Sequence, residues 1–82
     1  MTILFVLSGT TLAESSSLRV PSVGDEVTIR TTTYKKGIDA GTLISFTVSD
    51  EFPPHYDYSG GDEPVIYIDV NNYTILDGGD AQ

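Results

Sequence analysis

A chain of 82 residues supports one small domain with a thin core, because at this length folding buries only roughly 60–65% of the surface the unfolded chain exposes. With no cysteine there is no disulfide framework, thiolate zinc site or thiol nucleophile, and no apolar run approaches the roughly 18 residues a membrane-spanning helix needs. The formal charge of −8, from 12 Asp and Glu against 4 Lys and Arg, repels nucleic acid and anionic membrane and attracts basic surfaces.

The charge is unevenly placed. Arg19, Arg30, Lys35 and Lys36 all fall within the first 36 positions, opposed there only by Glu14, Asp25 and Glu26, for a local net of +1. From Gly37 onward there are nine carboxylates and no Lys or Arg, a local net of −9. Small secreted domains usually carry disulfides, so the composition favours an intracellular setting, read as the cytoplasm of a host cell.

The opening residues fit a β-hairpin better than a secretion signal. A signal needs a cationic start and roughly 7–15 apolar residues, whereas the apolar run at 3–7 has five and no Lys or Arg precedes it. Ile3, Phe5 and Val6 suit a strand, and Ser8-Gly9-Thr10 suits a turn. A polar, water-facing return strand then runs toward Leu18 and Val20, with Ser15, Ser16 and Ser17 near an edge or bulge.

Pro21-Ser-Val-Gly-Asp25 predicts a turn, and residues 26–30 predict a half-buried strand with Val27 and Ile29 inward, extended through Thr31 to Tyr34. Lys35-Lys36-Gly37 predicts a turn tip, and Asp39-Ala40-Gly41 leaves room for one helical turn. In residues 42–48, Ile44, Phe46 and Val48 form the core face. Residues 50–64 hold three prolines and two glycines and predict a long loop, the kind that is functional or disordered. Residues 65–70 predict the clearest strand, with Ile66, Ile68 and Val70 on one face and Val65, Tyr67 and Asp69 on the other. Asn71-Asn72 predicts a turn and residues 73–76 a short final strand.

Five to six short strands without helical periodicity predict an all-β domain, a small antiparallel barrel or rolled sheet over residues 1–76, with 77–82 as a flexible acidic tail. Asp50, Glu51, Asp57, Asp62 and Glu63 offer hard oxygen ligands but lack the spacing of an EF-hand, so no metal or other cofactor is expected. An exposed acidic loop does not drive carboxylate pKa values apart, and His55 is the only histidine, so no enzyme is expected. Asn72-Tyr73-Thr74 matches a glycosylation acceptor, which matters only outside the cell. Tyr34, Lys35, Lys36, Arg30 and Arg19 resemble a basic aromatic face, yet the overall field opposes phosphate, so direct nucleic-acid binding is not expected.

Phe52, His55, Tyr56 and Tyr58 remain, set among Asp50, Glu51, Asp57, Asp62 and Glu63, with Asp69 on the next strand. Tyrosines on a proline-stiffened loop suit interface anchors, and the carboxylates suit a protein partner whose basic surface ordinarily holds a polyanion. The plainer reading makes the acids solubility devices and the tyrosines caps on the core. On the interface reading, the expected contact set is Asp50, Glu51, Phe52, His55, Tyr56, Asp57, Tyr58, Asp62, Glu63 and Asp69.

The stretch Leu18-Arg-Val-Pro-Ser-Val-Gly-Asp-Glu-Val-Thr-Ile29, behind an N-terminal hairpin, resembles small barrel proteins of bacteriophages and mobile elements over about the first 30 residues. The resemblance implies a short acidic inhibitor of host defence, of which anti-CRISPR proteins are one kind. Such inhibitors occupy the nucleic-acid-binding surface of their target. The alternative implied by the same genomes is a structural or assembly piece, such as a small virion or accessory protein.

Overall fold

The computed structural model describes residues 1–16 and 19–78. Among these residues there is no helix, and seven strands form two sheets: β1 (Thr2–Leu7), β2 (Thr10–Ser15), β3 (Glu26–Arg30), β4 (Leu43–Thr47), β5 (His55–Asp57), β6 (Val65–Asp69) and β7 (Thr74–Asp77). One sheet has the order β2-β1-β6-β5 and the other β3-β4-β7. The all-β class therefore holds, as two facing sheets rather than a closed barrel. The strand count exceeds the expected five to six, because residues 50–64 are not loop throughout and contribute β5.

The N-terminal hairpin forms as its residues dictate. Leu7 pairs with Thr10 across a two-residue turn in which Ser8 has φ 49° and Gly9 φ 84°. Positive φ at both central positions is the signature of a type I′ turn, whose twist matches the flanking strands. The return strand is shorter than expected, ending at Ser15, and is not wholly water-facing. A bulge leaves Leu12 unpaired between the Phe5–Ala13 and Val6–Thr11 pairs, so that Leu12 and Ala13 both turn inward. The Leu12 carbonyl accepts the Thr32 N–H at 2.7 Å and the Thr32 hydroxyl at 3.1 Å, which ties the bulge to the segment following β3.

The expected antiparallel pairing holds for every strand pair except one. β1 and β6 run parallel, from Thr2 opposite Val65 to Val6 opposite Asp69, and the Val70 N–H extends the ladder to the Val6 carbonyl at 2.8 Å. Between them the chain builds β3 and β4 in the other sheet and returns through β5, so β6 enters beside β1 by crossover and not by hairpin. Both central strands carry apolar residues on both faces, as Leu4, Val6, Val65 and Tyr67 show.

The core lies between the sheets. Ile3, Phe5, Leu7, Ile66, Ile68 and Val70 face Ile29, Ile44, Phe46 and Val48, with Leu12, Ala13 and Ile38 closing the sides. Phe5 and Phe46 meet edge to face, centroids 6.1 Å apart at 71°. The core-face alternation expected at 44, 46 and 48 and at 66, 68 and 70 is the one observed.

Outside the core the turns follow local chemistry. Asp25 donates its N–H to the Ser22 carbonyl at 2.9 Å and accepts the Ser22 N–H on its carboxylate at 2.8 Å, with Gly24 at φ 94° between them. Lys36 (φ 51°) and Gly37 (φ 83°) make a second two-residue turn, bridged by Lys35 and Ile38. Thr42 N–H to Asp39 carbonyl at 3.3 Å closes a single turn at 39–42. Thr31 is buried, and its hydroxyl donates to the Asp39 carbonyl at 2.8 Å.

The last strand starts one residue later than expected. Asp77 belongs to it, opposite Leu43, rather than to a tail. Ser17, Leu18 and residues 79–82, which include most of the expected tail, lie outside the described residues.

Candidate functional site

Residues 49–57 shape the site. The Ser49 hydroxyl accepts the Glu51 N–H at 3.0 Å, and the Ser49 carbonyl accepts the Phe52 N–H at 3.3 Å, turning the chain after Val48. Pro53 and Pro54 follow. Neither has an N–H to donate, so pairing with β6 begins only at His55, opposite Tyr67. The register would place Pro53 beside Asp69, but the proline pair keeps the strand open there. A cleft of about 420 Å³ lies between this splayed segment and the sheet.

The floor of the cleft is the outer face of the four-stranded sheet. Val6 and Asp69 are direct neighbours in the parallel register, and Tyr67 sits beside them, its ring 6.0 Å from that of His55 at a 45° tilt. Glu51, Phe52, Pro53 and Pro54 form the wall. The lining thus holds two carboxylates and two large aromatic rings, with no Lys or Arg. Asp69 is oriented by the Asn71 side-chain amide, which donates to it at 3.3 Å.

Of the ten residues expected in the contact set, the structure brings Glu51, Phe52, His55 and Asp69 around the cleft. Asp57 shares the outer face with His55, opposite Val65. Asp62 and Glu63 lie beyond the other end of β6, and the Val65-to-Asp69 span of about 13 Å separates the two groups. Glu63, itself exposed, stands 3.7 Å from the Met1 amino group, a long pair that adds little stability. Tyr56 and Tyr58 are 48% and 60% exposed, so they do not cap the core. Sequence reasoning left Val6, Pro53, Pro54, Tyr67 and Ile68 outside the expected site. The signal that could have marked Val6 and Tyr67 was an apolar residue at an outward position of a strand.

Charge follows the same division. Residues 1–16 and 49–70, which make the four-stranded sheet and its approach, carry Glu14, Asp50, Glu51, Asp57, Asp62, Glu63 and Asp69 without one Lys or Arg. Arg30, Lys35 and Lys36 belong to β3 and the turn after it, where the Arg30 guanidinium donates to the Gly41 carbonyl at 2.8 Å. No three His, Asp or Glu among the described residues converge as a metal-ligating group.

One carboxylate has a locally set acidity. The Ser59 side chain, then the Ser59 N–H at 2.9 Å, hydrogen-bond Asp57 and hold its pKa below the ordinary carboxylate value, with the positive form of His55 adding a smaller pull. A folded-state pKa below the unfolded one contributes stability that is present above roughly pH 4 and lost as pH falls through the folded value. Ser59→Ala should therefore raise the Asp57 pKa, followed by NMR titration of its carboxyl carbon. An unchanged titration would show that the hydroxyl plays no part.

The fold and site together define an all-β scaffold with an acidic, aromatic-lined cleft on one sheet. No protein-family model, curated protein or solved structure matches the chain.

Proposed function

We propose that this protein is a non-enzymatic acidic binding module of phage or mobile-element type. It docks its acidic sheet on a basic surface of a host nucleic-acid-handling or defence complex, in the host cytoplasm, and keeps nucleic acid away. The observation that carries this reading is the cleft, where Glu51 and Asp69 stand beside Phe52 and Tyr67 with no Lys or Arg in the lining. Aromatic anchors supply contact area at low entropic cost, and carboxylates supply steering and register. Asp57, on the outer face with His55, extends the same surface, and Tyr58 beside it is 60% exposed.

The test is affinity capture from host lysate at rising salt, using wild type and a variant with Asp50→Asn, Glu51→Gln, Asp62→Asn and Glu63→Gln together. Capture should weaken in both directions, since contacts of this kind are screened within about 10 Å at 0.1 M salt. Capture indifferent to both would reject the proposal.

A second reading has its own observation. β7 is an edge strand in which Ile75 and Leu76 are 52% and 54% exposed, so this edge suits strand addition in an assembly. If it acts in that way, the protein self-associates in sedimentation runs with little salt dependence, and Ile75→Thr with Leu76→Thr returns it to monomer. A wild-type monomer at all concentrations removes this alternative.

A further inference from the structure

We infer that the cleft beside β6 is a receptor for one arginine side chain of the partner protein; this rests on the binding-module reading above and names the chemistry of its central contact. The cleft volume of about 420 Å³ falls within the roughly 300–1,000 Å³ of ordinary small-ligand sites. Glu51 and Asp69 favour a cation, and no Lys or Arg in the lining supplies one. No three-ligand group occurs among the described residues, so the carboxylates are matched here to an organic cation.

The walls select among organic cations. A guanidinium is flat, delocalised and weakly hydrated, so it lies against the rings of Phe52 and Tyr67 and the Pro53-Pro54 surface at low desolvation cost, while its N–H fork meets carboxylate. An ammonium is compact and strongly hydrated, and gains less from such walls.

The cleft is also held in shape before a ligand arrives. Pro53 and Pro54 fix their own φ, His55 is locked opposite Tyr67 by register, and Asn71 orients Asp69.

The occupant comes from another protein. Arg30 is engaged with the Gly41 carbonyl, and a second copy carries the same charge of −8. A single strong contact of this kind gives register to a broader electrostatic docking.

The experiment titrates the full-length, isotope-labelled chain with the tripeptide acetyl-Gly-Arg-Gly-amide and with its lysine and citrulline counterparts. Saturable shifts should appear at the amides of Val6, Glu51, His55, Tyr67 and Asp69 with the arginine peptide. The lysine peptide should bind about fivefold more weakly, and the neutral citrulline peptide should not saturate.

Glu51→Gln with Asp69→Asn should lower arginine-peptide affinity about tenfold while the remaining resonances keep their positions. If that variant unfolds, Phe52→Ala, at an exposed position, takes its place with the same expected direction. Equal affinity for arginine and lysine peptides, shifts spread over all exposed carboxylates, or undiminished binding by the variants would overturn the inference.

Lysate capture separates this failure from failure of the broader reading. Salt-sensitive capture equal for wild type and the cleft variant leaves the acidic module standing without its arginine receptor. Salt-insensitive capture defeats both.

Discussion

Phe46→Ala is expected to lower the unfolding free energy by about 3–5 kcal/mol, the usual range for removing a buried phenylalanine from a core that cannot collapse around the space. Phe46 is 3% exposed, stands opposite Val27 within its own sheet, and meets Phe5 edge to face across the core. It is therefore a principal contact joining the two sheets. At about 0.05–0.15 kcal/mol per residue, a chain of this size holds roughly 4–12 kcal/mol in total, so the loss is a large fraction of the whole. The midpoint of thermal unfolding should fall by roughly 15–30 °C, and at the low end of that stability range part of the population should be unfolded at room temperature. Phe52→Ala is the control: 49% exposed in the cleft wall, it should cost under about 1 kcal/mol. Urea titrations of the two variants check this, and similar costs for both would contradict the two-sheet core.

The second large effect separates function from stability. Changing Asp50, Glu51, Asp62 and Glu63 to their amides takes the formal charge from −8 to −8 + 4 = −4. All four side chains are exposed, and the one ion pair among them, Glu63 with the amino group of the half-buried Met1, is long at 3.7 Å. Self-repulsion within the folded state falls, so at low salt the variant should melt at the same temperature as wild type or a few degrees higher. Affinity for the captured partner should nevertheless fall at least about tenfold, because Glu51 lines the cleft, Asp50 precedes it, and Asp62 and Glu63 add charge at the other end of the same sheet. Opposite signs on stability and binding mark charges kept for a partner. A variant that loses both together would make those carboxylates structural.

Much of this fold is written in local pattern. The alternation of Ile44, Phe46 and Val48, and of Ile66, Ile68 and Val70, exposes a core face because strand side chains repeat every two residues. Ser8-Gly9 and Lys36-Gly37 announce their turns because few residue pairs accept positive φ twice. By contrast, β5 has three residues, too few to show a period, and lies just after two prolines. The inward turn of both Leu12 and Ala13 depends on a bulge that breaks the period where it would be read. The parallel β1–β6 pair is a matter of topology, decided by where the chain returns after building another sheet.

The candidate site divides in the same way. Glu51, Phe52 and His55 were legible because a proline-rich acidic segment stands out by composition, and Asp69 because it is a charge on an apolar strand. Tyr67 and Val6 read as ordinary outward strand positions. Only the register that sets Tyr67 against His55, and Val6 against Asp69, makes them a floor. Asp62 and Glu63 look continuous with the other acids in sequence, yet the length of β6 carries them to the opposite end of the sheet.

The proposal that this acidic sheet stands in for nucleic acid is tested most directly by competition on the isolated partner. The captured partner is loaded with a fluorescent single- or double-stranded oligonucleotide and titrated with this protein, reading anisotropy. Stoichiometric release of the oligonucleotide by wild type, much reduced for the four-carboxylate variant, is the predicted result. A stable ternary complex in which oligonucleotide and protein bind together would contradict it.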